Sequence, residues 1–145
     1  MIAPKVLNLA ASLPQQLIRI LVNEKGQDLS ARITPVMLQP YIQRLDINNS
    51  RQVVKLRHDI IESRYKQAEQ LAKEQMSQFS DTARQRYHDR LQQEMDRLQA
   101  LKAHNPSIRQ DEIDRLSAQQ QQGMALLSQL ALVPDAIRVM VAMKG

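Results

Sequence analysis

Three places in this chain gather side chains that could hold a metal or move a proton. His58 and Glu62 stand four residues apart, on one face of any helix through them, and offer two ligands of the kind zinc accepts. No convincing third donor lies nearby, so an exposed surface pair is the better reading. Asp111 and Glu112 are adjacent acids, but they follow a proline turn rather than a hydrophobic strand, and they read as negative charge in the first turn of a helix. His88 sits among Tyr87, Asp89 and Arg90 with no Ser or Cys nucleophile to serve, and His104 stands where a basic ring can meet the last carbonyls of a helix.

Phosphate-cradling chemistry fares no better. Gly26, Gly123 and Gly145 are the only glycines and form no glycine-rich loop followed by Lys and Ser or Thr. There is no Cys, which removes disulfides, thiolate nucleophiles and zinc–thiolate sites and fits a reducing cytoplasm. The sequence therefore reads as having no catalytic, cofactor-binding or metal-binding residues.

What remains is a surface. The chain of 145 residues carries 20 basic and 15 acidic side chains, a formal net charge of +5. That balance favours a polyanionic partner such as nucleic acid or an acidic protein face. The charges alternate, however, as in Arg84, Arg86, Asp89, Arg90, Glu94, Asp96 and Arg97, which is the pattern of a solvated helix side. Arg84, Arg90, Arg97 and Lys102 are the candidate partner contacts, chosen for charge and expected exposure.

These residues need elements to carry them. Aromatics make up 3% of the chain and Trp is absent, a profile of long helices rather than sheets or aromatic pockets. Residues 1–15, with Pro4 and Pro14, read as a lead-in or linker remnant, too weakly apolar for a signal peptide. No apolar run approaches the roughly 20 residues that cross a bilayer, so no membrane contact is expected.

Alternating apolar residues predict strands at about 17–23, 28–33 and 136–143, with Asn23 to Gly26 as the turn of a hairpin. Helices are expected at about 35–45, 50–103 and 110–131. Thr34–Pro35 opens the first, Asn48–Ser50 signals the second, and His104 to Ser107 separates the last two. An unbroken helix over 51–103 would be about 80 Å long. A compact chain of this size spans only about 40 Å. The helix therefore protrudes, bends, or breaks near Ser77 to Thr82. A stripe at spacings of three and four from Ile61 and Tyr65 through Ala83, Tyr87, Leu91 and Met95 to Leu98 and Leu101, and a second through Ile113, Leu116, Gln120, Gly123, Leu127 and Leu130, pair the long helices, Gly123 permitting close approach. The same stripe is compatible with a coiled-coil homodimer, although it is poor in Leu and Ile between Ala68 and Ala83. The expected architecture is α+β and predominantly helical: a long antiparallel helical hairpin packed on a small sheet of two to three strands, one domain over 16–145.

Residues 97–114, RLQALKAHNPSIRQDEID, together with IRILVNEKGQDLS at 18–30 and DAIRVMVA at 135–142, carry a family resemblance. The chain resembles the C-terminal segment of the RapA family of Swi/Snf-type ATPases that recycle RNA polymerase. Its Asn-Pro-x-Ile-Arg turn is present as Asn105, Pro106, Ser107, Ile108 and Arg109. Ser107 and Pro134 depart from the family pattern, which has Asn and Leu there, without disturbing the architecture. The resemblance implies a C-terminal accessory domain, with ATP and magnesium used by motor domains that lie outside this chain. It further implies core RNA polymerase, those motor domains and, through them, DNA as partners in a bacterial cytoplasm. A basic nucleic-acid-binding module and a coiled-coil dimerisation module are the alternatives from other classes.

Overall fold

A computed structural model describes residues 16–143, and its regular secondary structure is helical. Its elements are α1 (Pro35–Leu38), a 3-10 turn at Gln39–Tyr41, α2 (Ile47–Leu56), α3 (His58–Lys102) and α4 (Gln110–Leu127). The contacts divide into two compact units. One is built on Met76–Ala131 and the other on Ile18–Gln75 with residues 132–143, so α3 contributes residues to each.

The first unit is a helical hairpin. Ala83, Tyr87, Leu91 and Met95 recur every four residues on α3 and are buried, as are Ile113, Gly123 and Leu127 on α4. Tyr87, Leu91 and Leu127 form the core cluster, with Leu116 and Met124 packed against it. Each large apolar side chain buried this way contributes about 1.5–3 kcal/mol.

Polar cross-links fix the antiparallel register. Ser80 Oγ donates to the Leu127 carbonyl at 2.9 Å, and Tyr87 Oη to the Gln119 carbonyl at 3.0 Å. Gln120 Nε2 donates to the His88 carbonyl at 3.0 Å, and Lys102 Nζ meets Gln110 Oε1 at the turn. Pro106 ends α3. Asn105 Oδ1 then accepts from Ser107 N at 3.0 Å, closing an Asx turn that feeds α4.

α3 passes through Ser77 to Thr82 without a break. Two hydroxyls there are satisfied without a break: Thr82 Oγ1 donates to the Gln78 carbonyl four residues back, and Ser80 Oγ crosses to α4. The interruption lies instead at Arg57, whose backbone (φ −114, ψ 17) is not helical although its N–H still reaches the Val53 carbonyl. α2 also begins earlier than the Asn48–Ser50 signal suggests. Asp46 is its cap, accepting from Asn48 N and Asn49 N at 3.0 Å each.

The expected sheet is absent, and the α+β class is corrected to a helical one. Among the described residues there is no strand at 17–23, 28–33 or 136–143, only an isolated antiparallel bridge between Val22 and Asp28. Beyond one backbone bond across the turn, from Leu29 N to the Leu21 carbonyl at 2.7 Å, residues 28–33 bond through side chains and back on themselves. Asp28 Oδ1 accepts from Ser30 N and Ser30 Oγ, Ser30 Oγ takes the place of a backbone acceptor for Leu21 N, and Arg32 N and Ile33 N both turn back to the Leu29 carbonyl. Residues 136–143 keep their alternating apolar pattern, but no described backbone group bonds to them. Alternation marks two faces of an extended chain, and a strand exists only where a neighbour accepts its ladder. The lead-in expected at 1–15 lies outside the described residues.

In this second unit the Asn23–Gln27 turn is clamped to α3. Gly26 takes a positive φ of 82, the Gly26 carbonyl accepts from Gln67 Nε2 at 2.7 Å, and the Glu24 carbonyl accepts from Arg64 Nε at 3.1 Å. The Glu24 carboxylate pairs with Arg57 at 3.1 Å. Arg64 and Gln67, three residues apart on α3, hold the turn from one helix face, and Arg57 at the joint before α3 adds the ion pair.

Candidate interaction surface

The four candidate contacts, Arg84, Arg90, Arg97 and Lys102, all lie on α3 in the hairpin unit, and each is engaged there. Arg84 Nη1 lies 3.8 Å from Asp81 Oδ1, while its Nε is buried with no hydrogen-bond partner. The Arg90 guanidinium stands over the Tyr87 ring, 5.4 Å from its centroid, a cation–π distance. Arg97 grips both Glu94 oxygens through Nε and Nη2. That hydrogen bonding holds the Glu94 carboxyl below its ordinary pKa and raises that of Arg97. At 100° per residue, Arg90 and Arg97 share one side of α3 while Arg84 and Lys102 occupy another, so the four do not form one patch.

The acid and histidine pairs are placed just as locally. Glu62 binds Lys66 at 2.8 Å, one turn along the same helix, and His58 lies 3.8 Å from Asp59. His88 Nδ1 is 3.2 Å from Asp89, and Asp111 faces Arg109 at 3.6 Å beside Glu112 in the first turn of α4. Among the described residues no group of three or more His, Cys, Asp or Glu could hold a metal ion, and no helix is long and apolar enough to cross a membrane.

The surplus positive charge sits elsewhere. Residues 76–131 carry seven basic and seven acidic side chains, whereas residues 18–75 carry ten and seven. That second unit has no buried residue among those described. Instead it exposes apolar side chains along 34–57, with Val36 at 76%, Tyr41 at 83%, Ile47 at 65% and Leu56 at 82%. Ile137 and Met143 are also exposed in its C-terminal extended segment. From sequence, 35–45 reads as a short helix and 50–57 as the start of the long one, with no surface assigned to either. The signal was present in the interleaving of Tyr41, Ile47, Val54 and Leu56 with Arg44, Arg51 and Lys55.

A family model described as the RNA polymerase recycling family C-terminal matches residues 1–142. The chain belongs to that family. Curated relatives agree along nearly all of its length: the RNA polymerase-associated protein RapA of Pasteurella multocida is 37% identical over 142 residues, 98% of this chain. That of Pseudomonas aeruginosa is 32% identical over 141 residues, and that of Serratia proteamaculans 34% over 139. The chain spans only about 15% of the length of these relatives. The larger part of such a protein therefore has no counterpart in these 145 residues. Within the RNA polymerase recycling family C-terminal region, the Asn105–Arg109 motif is the turn between α3 and α4, and the 18–30 motif is the arm clamped by Arg64 and Gln67.

Proposed function

We propose that this chain is a non-catalytic C-terminal domain of an ATP-dependent transcription regulator that recycles RNA polymerase, and that it braces the ATPase part of that polypeptide. The observation that carries this reading is the α1–α2 unit, which exposes large apolar side chains while burying none of its described residues. A solvent-facing module gains nothing from such a surface, whereas a surface packed inside a larger molecule gains its folding energy there. On this reading ATP and magnesium bind in the longer part of the polypeptide, DNA is met through it, and the site of action is the bacterial cytoplasm.

The test compares the longer polypeptide with and without these residues. Bracing predicts that deletion lowers the temperature at which DNA-stimulated ATP hydrolysis is lost, and equal inactivation curves would sink it.

A second reading, docking on core RNA polymerase, is supported by the name of the relatives, which are RNA polymerase-associated. Titrating the purified chain against core polymerase and duplex DNA at about 0.15 M salt, where distant exposed charges are already screened, separates the two. Saturable binding to polymerase alone favours docking. Binding to neither leaves the brace.

A further inference from the structure

α2 has two distinct sides. At 100° per residue Ile47, Arg51 and Val54 fall within about 60° of one another, with Lys55 beside them. All four are exposed. Val53, half-buried and about 100–160° round the helix from all four, marks the side turned inward. Apolar groups at i and i+7 around a cation at i+4 are the spacing of a helix that lies in a groove.

The electrostatics narrow the partner. Between residues 34 and 57 the only acid is Asp46, and its carboxylate is committed to capping α2. Arg57 is paired with Glu24. Arg44, Arg51 and Lys55 have no ion pair or side-chain hydrogen bond among the described residues. The counterpart is therefore acidic. A second copy of the chain is a poor match, because a two-fold contact would set these cations against themselves. Nucleic acid is also a poor match, because Tyr41 is the only aromatic here that could stack. The apolar share of the surface suits a permanent contact, and relatives of this chain carry a much longer stretch of polypeptide outside it.

We propose that the Ile47–Arg51–Val54–Lys55 strip of α2 docks into an apolar, acid-rimmed groove on the longer part of the same polypeptide. This rests on the bracing reading and names the surface that performs it.

The experiment places a photoreactive benzophenone at position 54 of the full-length protein, with a comparator at position 86 on α3, in the presence of core polymerase. Crosslinks from position 54 to acidic segments of its own polypeptide are expected. Charge reversal by Arg51→Glu with Lys55→Glu should then speed proteolytic release of the C-terminal region about tenfold, without moving the melting of the isolated chain. Crosslinks from position 54 to polymerase, to a second copy or to nothing overturn the proposal. If position 86 still reaches its own polypeptide, bracing survives through another surface; if neither position does, bracing falls as well.

Discussion

The Tyr87 ring occupies the space that a side chain at position 123 would need: a β-carbon on Gly123 would stand 2.1 Å from Tyr87 Cε1. The ring is fully buried and its hydroxyl reaches the Gln119 carbonyl, one turn earlier on α4. Gly123→Ala should therefore destabilise the hairpin by several kcal/mol, well beyond the usual 1–3 kcal/mol of overpacking, because a backbone-fixed carbon meets a ring with no room to retreat. Tyr87→Phe should cost only about 1 kcal/mol, the value of one hydrogen bond. Denaturant melts of both variants check this. In a Tyr87→Leu background the penalty of Gly123→Ala should shrink, which a double-mutant cycle reads directly.

Leu127 is fully buried in the same cluster while Leu56 is 82% exposed. Leu127→Ala should cost about 2–5 kcal/mol in the isolated chain. Leu56→Ala should stay within about 0.5 kcal/mol there. Thermal unfolding of the two variants side by side is the measurement.

Gly26 combines a φ of +82 with an Arg64 Nη1 that a β-carbon would approach to 2.6 Å. Gly26→Ala should cost about 1–2 kcal/mol from backbone strain, and moving Arg64 aside also gives up its hydrogen bond to the Glu24 carbonyl. Amide hydrogen exchange at Asn23 and Leu29, whose N–H groups bond across the turn, should accelerate while Leu91 stays protected.

The Asp46 carboxyl is held below its ordinary pKa, chiefly by the backbone N–H of Asn49. A depressed carboxylate pKa in the folded state means that the cap is at full strength above the ordinary aspartate pKa. It is lost as the pH falls through the lower folded value. The amides of Asn48 and Asn49 should therefore lose protection on acidification in the native chain, and Asp46→Asn should remove that pH dependence while keeping the cap. Exchange rates measured across pH 2–6, corrected for intrinsic chemistry, test both arms.

The hairpin was legible because helix pairing leaves a dense local signature. The α3 stripe contained Ala83, Tyr87, Leu91 and Met95, and the α4 stripe contained Ile113, Gly123 and Leu127, all of them buried. The strands misled because Leu17 to Val22 and Ile137 to Met143 show alternation, a property of one segment, whereas a sheet is a property of two. Asp28 accepts from Ser30 N, and Ser30 Oγ takes the Leu21 N–H that a strand carbonyl would have taken, side-chain bonds that periodicity does not register. Choosing contacts by charge led to Arg84 and Arg97, which face acids one turn away at Asp81 and Glu94. Arg51 and Lys55, in a stretch where acids are scarce, have no ion pair among the described residues.

Only Arg57 separates α2 from α3, so the direction in which α2 leaves the longer helix is set by the two dihedral angles of one residue. No loop has to be rebuilt to re-aim it, and neither helix loses a turn. Divergent sequences could tilt α2 toward differently shaped neighbours by changing this single joint and the Glu24 contact that steadies it, and the hairpin core would not register the difference.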